Sequence, residues 1–372
     1  MARSGSARIA SLGAASVLLL ATAGCGGDDS TGGSDGGSAS GEGGTVGVIL
    51  PDATTSPRWE ANDRPSLQKA FEDAGIEADI QNAGGDVAKF GTICDGMINS
   101  GVNVLMIVNL DSESGSACLK KAADAGIQSI DYDRLTLGGG ASYYVSFDNV
   151  VVGELMGKGL QTCLEEKNKT KANIVFINGD PTDNNAALFK EGYQKALQPM
   201  IDSGDYTLVG DQTGVWDANK AGTAFEQIFT SADGKVDGVV SANDTMAGGI
   251  VARLAANGLD GEVPVTGQDA SVEGLQRVLA GTQCMTVYKD TALEAKAASD
   301  LAISLIKGES GDSLVTGTVE DTVLKEDVPS VLAEPESIFA DNVKDVIADG
   351  FQKKEDVCTD DFAQACEKYG VQ

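Results

Sequence analysis

Residues 100–134 read SGVNVLMIVNLDSESGSACLKKAADAGIQSIDYDR. Val104-Leu105-Met106-Ile107-Val108 is an unbroken apolar run of strand length. Good helix formers follow over Leu119–Ala125, and a second extended run, Gln128–Tyr132, comes after Gly126. Gly101 and Gly126 stand where a helix ends and a strand begins, a place where the backbone needs positive φ. A strand without polar interruption suits a sheet covered by helices on both faces.

The same unit recurs along the chain. Thr45–Leu50 is the first strand, Ala74-Gly75-Ile76 leads into Glu77–Gln81, and Asn257-Gly258-Leu259 leads to Val263–Thr266. Further apolar runs lie at Asn173–Ile177, Tyr206–Gln212 and Gly238–Ser241, and Ala247–Ala256 has helical length. This alternation predicts an α/β fold with parallel sheets. The strands are too many for one small sheet, so two α/β domains are expected. Linkages near Ser146–Val150 and Met285–Lys289 are expected to carry the chain between them.

Polar side chains gather at the carboxyl ends of these strands. Asp52 and Arg58-Trp59 follow the first, Asp133-Arg134 follows Tyr132, and Asp180, Asp183, Asn184 and Asn185 follow Ile177. Asn243-Asp244 follows Ser241, and Gln268-Asp269 follows Gly267. Open α/β sheets bind ligands in the crevice at these ends, and two facing domains turn the crevice into a cleft.

The amino-terminal segment has the character of an export signal. Arg3 and Arg8 precede an uncharged run, Ile9–Ala23, too short and too rich in small residues for a membrane span. It closes with Thr22-Ala23-Gly24-Cys25, which resembles a bacterial lipobox with Thr in place of the usual Leu. That resemblance implies lipid on Cys25. Residues 26–44 hold only Gly, Ser, Asp, Thr, Ala and Glu, a flexible linker by composition.

The chain has 56 acidic against 27 basic residues, which makes nucleic acid and anionic lipid surfaces poor partners. It contains no histidine, the commonest general base and transition-metal ligand, which weighs against catalysis. No metal or cofactor is expected. Of the 7 cysteines, setting Cys25 aside leaves six with no CxxC spacing. Six admit 15 pairings. The expected set is Cys94–Cys118, Cys163–Cys284 and Cys358–Cys366, the last being the most local.

Several motifs together resemble one family. They are Asp131-Tyr132-Asp133-Arg134, Tyr144-Val145-Ser146-Phe147-Asp148-Asn149, Gly179-Asp180-Pro181-Thr182-Asp183-Asn184-Asn185-Ala186, and Gly210-Asp211-Gln212. Ser241-Ala242-Asn243-Asp244, Gly267-Gln268-Asp269-Ala270 and the run from Gly281 to Lys289 complete the set. Over about Thr45 to Gln352 the chain resembles the periplasmic sugar-binding proteins of ABC transporters with a ribose-binding-like fold, most closely the xylose-binding members. The resemblance implies two Rossmann-like lobes with parallel sheets joined by a hinge of three crossings, the type I periplasmic binding protein-like fold. It implies ligand contacts at Arg58, Trp59, Asp133, Arg134, Asn185, Trp216, Asn243, Asp269 and Lys289, with Asp183 as a neighbour. Its expected partners are a monosaccharide, D-xylose first, and an ABC permease in the membrane. A monomer is expected, outside the cytoplasm and held to the cell membrane by Cys25.

The expected layout is a signal peptide over 1–24 and an anchored linker over 25–44. An N-terminal lobe takes 45–148 plus about 289–320, and a C-terminal lobe takes 149–288 plus about 321–352. A tail, 353–372, has no role the sequence discloses.

These residue types suit a sugar. Carboxylates such as Asp133 and Asp269 accept from hydroxyls, Arg58, Arg134 and Lys289 donate to them, and Asn185 and Asn243 do both. The chain's 2 tryptophans, Trp59 and Trp216, both fall among the expected contacts, where their rings can cover C–H surfaces. Other readings exist for single residues. Asp133-Arg134 alone would pass for a surface ion pair, and Lys289 for a solvated strand-end charge. Asn243-Asp244 can cap a helix; Asp244 is expected to cap it, leaving Asn243 for ligand.

Three other functions compete. A glycoside hydrolase needs paired carboxylates, one of them protonated, whereas Asp133 and Asp269 have Arg and Lys neighbours that favour ionisation. A fold-related repressor needs a basic DNA-binding domain where the leader and linker stand. A lipoprotein presenting ligand to a sensor, or one selecting ribose, arabinose, glucose or galactose, keeps the same fold and cleft.

Overall fold

The computed structural model describes residues 43–54 and 56–371. The leader, Cys25 and the linker as far as residue 42 lie outside the described residues.

Among the described residues twelve strands follow one another: β1 Thr45–Leu50, β2 Glu77–Asn82, β3 Val104–Ile107, β4 Gln128–Tyr132, β5 Tyr143–Phe147, β6 Ala172–Asn178, β7 Tyr206–Thr213, β8 Gly238–Ser241, β9 Thr286–Tyr288, β10 Gly317–Asp321, β11 Glu326–Ala333 and β12 Glu336–Ile338. The N-terminal lobe is built on a seven-stranded sheet in the order β10-β11-β5-β4-β3-β1-β2, parallel except for the β10–β11 pair.

The run at 104–108 shows why this sheet needs two helical layers. Val104, Met106 and Val108 pack with Leu67 and Phe71 of the helix Arg64–Ala74 and with Ala298 and Leu301 of the helix Thr291–Ile306. Leu105 and Ile107 point the other way, onto Phe90, Ile93 and Met97 of the helix Val87–Ser100 and Leu119 of the helix Ser112–Asp124. Side chains alternate across a strand, so a wholly apolar strand must be covered twice. Full burial of each such side chain contributes about 1.5–3 kcal/mol. Gly101 turns the helix into this strand at φ 79°, its N–H donating to the Ile98 carbonyl.

The C-terminal lobe holds the parallel sheet β7-β6-β8. Single bridges, Val239 to Val265 and Gln268 to Val287, extend it to β9, which pairs antiparallel with β12. The strand expected over Val263–Thr266 is thus reduced to one bridge. Pro264 interrupts it, because proline has no N–H for a ladder.

The chain crosses between lobes after Phe147, between Tyr288 and Thr291, and between Ala333 and Glu336. The last crossing corrects the expected change of lobe near residue 321. β11 runs parallel to β5, with Ser330 opposite Tyr144, so the chain leaves the first sheet only after Ala333. Pro329 and the polar start of β11 hid this strand in the sequence.

Two C-lobe helices, Asn149–Glu166 and Asn184–Asp202, cross at Gly153 and Gly192. A Cβ on Gly153 would collide with the Phe189 carbonyl oxygen, and one on Gly192 with the Val150 carbonyl oxygen. This close crossing seats the first turns of the second helix at the cleft.

Three disulfides join Cys94 to Cys118, Cys163 to Cys284 and Cys358 to Cys366. The tail forms the short helices Lys354–Val357 and Ala363–Tyr369. Val357, Cys366 and Val371 share an apolar cluster with Leu275, Val278 and Leu279 of the helix Val272–Ala280.

Candidate functional site

A small cavity, with about 30 Å³ of free space, lies between the lobes. All ten side chains expected to contact ligand line it: Arg58, Trp59, Asp133, Arg134, Asp183, Asn185, Trp216, Asn243, Asp269 and Lys289. Each lobe contributes one tryptophan, Trp59 packing with the N-lobe core and Trp216 with the C-lobe core. Ser56, Phe189 and Gln268 also line the cavity and were not singled out as contacts from the sequence. Phe189 had a legible signal, since it stands one helical turn after Asn185.

The backbone departs from common conformations where these side chains are aimed. Asp133 (φ 63°), Trp216 (φ 60°) and Asp269 (φ 96°) all have positive φ. Such strain persists when the surroundings hold it. Asp133 N–H donates to the Val145 carbonyl at 2.7 Å, and Asp269 N–H to the Val287 carbonyl at 2.9 Å. Trp216 lies over Gly179, where any Cβ would meet its ring.

Arg58 is heavily bonded. It precedes a π-helical turn, Trp59–Asp63, a form common at functional sites. Its Nε and Nη2 donate to Asp63 at 3.0 and 2.8 Å, Nη2 also to Glu294 Oε2, and Nη1 to Asp133 Oδ2 at 2.8 Å. Tyr132 Oη donates to Asp63 Oδ1 at 2.6 Å, and the guanidinium lies 4.4 Å over the Trp59 ring. Of five N–H groups, four are thus committed, so Arg58 mainly orients Asp133 and Trp59. Sequence reading missed Asp63 and Glu294, because neither lies at a strand end.

The lobes meet through polar contacts around the cavity. Arg134 Nε lies 3.0 Å from Asp183 Oδ2, and Asn185 Nδ2 donates to the Asp133 carbonyl at 2.8 Å. Lys289, at the second crossing, pairs with Asp269 at 3.0 Å and stands 5.7 Å from the Phe189 ring centre. Neither Asp133 nor Arg134 is a surface charge; both are buried and each pairs with another residue. The helix Asp244–Ala256 corrects one assignment. Asn243 is its cap, accepting from Met246 N–H at 2.9 Å. Asp244 turns instead toward Gln283 and Ser271, accepting at 2.6 and 3.0 Å. Asp183 likewise caps its helix, accepting from Asn185 N–H.

Burial dominates the electrostatics and the neighbours decide its outcome. Burial pushes Asp133 up, but Arg58, Lys289 and Arg134 outweigh it and hold the carboxyl below its ordinary range. Burial pushes Glu294 up to about 8, opposed by Arg58 and assisted by Asp133 and Asp63. Burial also raises Asp183 against the pull of Arg134. Trp59 Nε1, Trp216 Nε1 and Gln268 Oε1 are buried, belong to cavity-lining side chains and have no protein hydrogen-bond partner. Unmade polar bonds of this kind are costly, and a polyhydroxylated ligand supplies both donors and acceptors. No cluster of metal-ligating side chains occurs among the described residues.

Comparison with known proteins agrees with this architecture. Residues 46–310 match the periplasmic binding protein domain. The D-xylose-binding periplasmic protein of Escherichia coli (strain K12) is 37% identical over 84% of this chain and 92% of its own length. The multiple sugar-binding periplasmic receptor ChvE of Rhizobium radiobacter is 33% identical over 84% and 92%. Among solved structures, a carbohydrate transporter solute binding protein from Chloroflexus aurantiacus, in complex with D-glucose, superposes with a TM-score of 0.76 at 29% identity, covering 84% of this chain and 97% of its own. Two lobes, a three-crossing hinge, a polar cavity between them and these similarities have one meaning: the chain belongs to the periplasmic binding protein family.

Proposed function

We propose that this protein captures a monosaccharide, D-xylose first among the candidates, by closure of its two lobes and delivers it to an ABC importer. The observation that carries the reading is the convergence of charged, amide and indole side chains from both lobes on one small cavity. A ligand touching both lobes favours the closed form in proportion to its extra contacts there. The similarity to a D-xylose-binding protein supports the pentose, and the similarity to a multiple sugar-binding receptor keeps ribose, arabinose, glucose and galactose as alternatives.

Catalysis is no part of the proposal. Asp133 is held ionised beside Arg58, Lys289 and Arg134, so it supplies no general acid. The family's members are solute-binding proteins of ABC transporters.

The proposal also places the protein outside the cytoplasm as a monomer, with lipid on Cys25 and residues 26–44 as tether. Among the described residues no helix is long and apolar enough to cross a membrane. A sensor in place of the permease would read the same closed form.

Calorimetric titration of the chain beginning after Cys25 tests the sugar. Saturable one-to-one binding, tightest for D-xylose, is the expected result. Tighter binding of another sugar changes the ligand and keeps the class. No heat with any pentose or hexose overturns the reading.

A further inference from the structure

Phe351 and Gln352, which lead into the tail that the sequence left without a role, touch residues next to the cavity and the opposite lobe. Gln352 Nε2 donates to the carbonyl oxygen of Ala270 at 3.2 Å. Ala270 is fully buried and, with Asp269, forms a pair of consecutive residues at φ 45° and 96°. Asp269 lines the cavity. Beside Gln352, the Phe351 ring meets Tyr288 edge-on at 5.0 Å, and Tyr288 immediately precedes the cavity residue Lys289. The Phe351 carbonyl accepts from Asn62 Nδ2 at 3.3 Å, and Asn62 belongs to the N-lobe turn that carries Trp59. This pair of residues therefore contacts a ligand loop, a hinge strand and the facing lobe.

The tail that follows holds the pair in place. Gln276 Nε2 donates to the carbonyls of Asp356 and Val357, at 3.0 and 3.3 Å. Val357 and Cys366 are buried against the helix Val272–Ala280, and the Cys358–Cys366 bond closes the loop between them.

We infer that residues 351–371 form a clasp in which Gln352 positions Asp269 through the Ala270 carbonyl, and Phe351 latches the closed form through Asn62. Two left-handed non-glycine residues in succession are strained and need outside support. Gln352 supplies support for the second of them, and without it a buried carbonyl loses its partner. The latch lies outside the cavity, so it favours closure by an amount independent of which sugar is bound. The part of the inference that concerns affinity rests on the sugar-binding reading; the part that concerns the loop does not.

Hydrogen exchange of the amides at 269–271, with sugar titration beside it, tests the clasp in the full-length chain. Gln352→Ala and Gln352→Glu, the second keeping length and losing the donor, are each expected to speed exchange at 269–271. Replacing Cys358 and Cys366 together by Ser is expected to do the same. Sugar affinity should fall about three- to tenfold in these variants, the size of one lost hydrogen bond. Asn62→Ala should lower affinity by a similar factor and leave exchange at 269–271 unchanged. Unchanged exchange in all the tail variants overturns the positioning role, and unchanged affinity in Asn62→Ala overturns the latch. If the parent chain binds no sugar, the sugar reading fails while exchange still decides the positioning role. The latch is then decided by small-angle scattering, a more open Asn62→Ala protein supporting it and an unaltered one overturning it.

Discussion

Arg134 and Asp183 form an ion pair across the cleft, Nε to Oδ2 3.0 Å, with both side chains buried. One belongs to the loop after β4 and the other caps a helix of the opposite lobe, so separation of the lobes would break the pair. Asp183→Asn keeps an oxygen for the cap and removes the charge. Breaking a buried pair from one side costs about 3–5 kcal/mol, and here much of that falls on the closed form. Sugar affinity is expected to drop by about tenfold or more, measured by calorimetry, with the melting temperature nearly unchanged. Equal affinity in the variant would contradict the part assigned to this pair.

Glu294 gives a pH prediction with a definite sign. Burial lifts it to about 8 in the folded protein, whereas an unfolded chain's Glu titrates near about 4.3. Between these values the folded state keeps a proton that the unfolded state has released. Stability therefore falls as pH rises through this window and levels off above it. Asp131, raised by burial to about 7, and Asp244, raised by burial to about 6, slope the same way. Melting temperatures from pH 5 to 9 should decline in the parent protein and decline less in Glu294→Gln. Parallel curves would refute the assignment.

The two tryptophans offer a direct optical readout. Both line the cavity, one from each lobe, and the chain has no others. Saturating sugar is expected to change intrinsic fluorescence, and Trp59→Phe and Trp216→Phe should each retain part of the change. Trp216→Ala should weaken binding about tenfold or more, through lost ring packing and lost burial. A sugar that binds without altering emission in any of the three proteins would place it elsewhere.

Cysteine chemistry is checked by mass. The oxidised chain is expected to carry no free thiol among Cys94, Cys118, Cys163, Cys284, Cys358 and Cys366, and peptide mapping should recover the three pairs. Replacing Cys163 and Cys284, separated by 121 residues, should cost the most stability. A loop of about 100 residues is worth up to about 4–5 kcal/mol in the chain-entropy account. Six alkylated thiols without reductant would rule the bridges out.

Much of this was readable from the chain because it is local. The bounds of β1 and β8 follow apolar runs, β4 follows the glycine that ends the preceding helix, and each of the cavity-lining polar residues named in advance stands at or near a strand's carboxyl end or in the helix it introduces. What escaped depends on distant partners. Asn243 took the cap expected of Asp244 because Gln283 and Ser271, 39 and 27 residues from Asp244, draw the Asp244 carboxylate inward. Glu294 looks like an ordinary first-turn acid until Arg58, 236 residues earlier, is placed beside it. The return of β11 to the first sheet has no apolar run to announce it, only alternate burial at Val328 and Ser330.

The position of β11 also constrains the order in which the molecule can be completed. It lies between β5 and β10, so until residues 326–333 are available β5 presents an unpaired edge. A chain emerging amino-terminus first through a narrow conduit would expose the backbone of β5 for nearly two hundred residues of further synthesis or passage. Open edges of this kind invite pairing with other chains. The helix Asn149–Glu166, entering directly after β5, starts the second lobe meanwhile. Final assembly of the first lobe thus waits for the second to have emerged, and a chaperone that shields β5 in that interval would guard the most vulnerable intermediate.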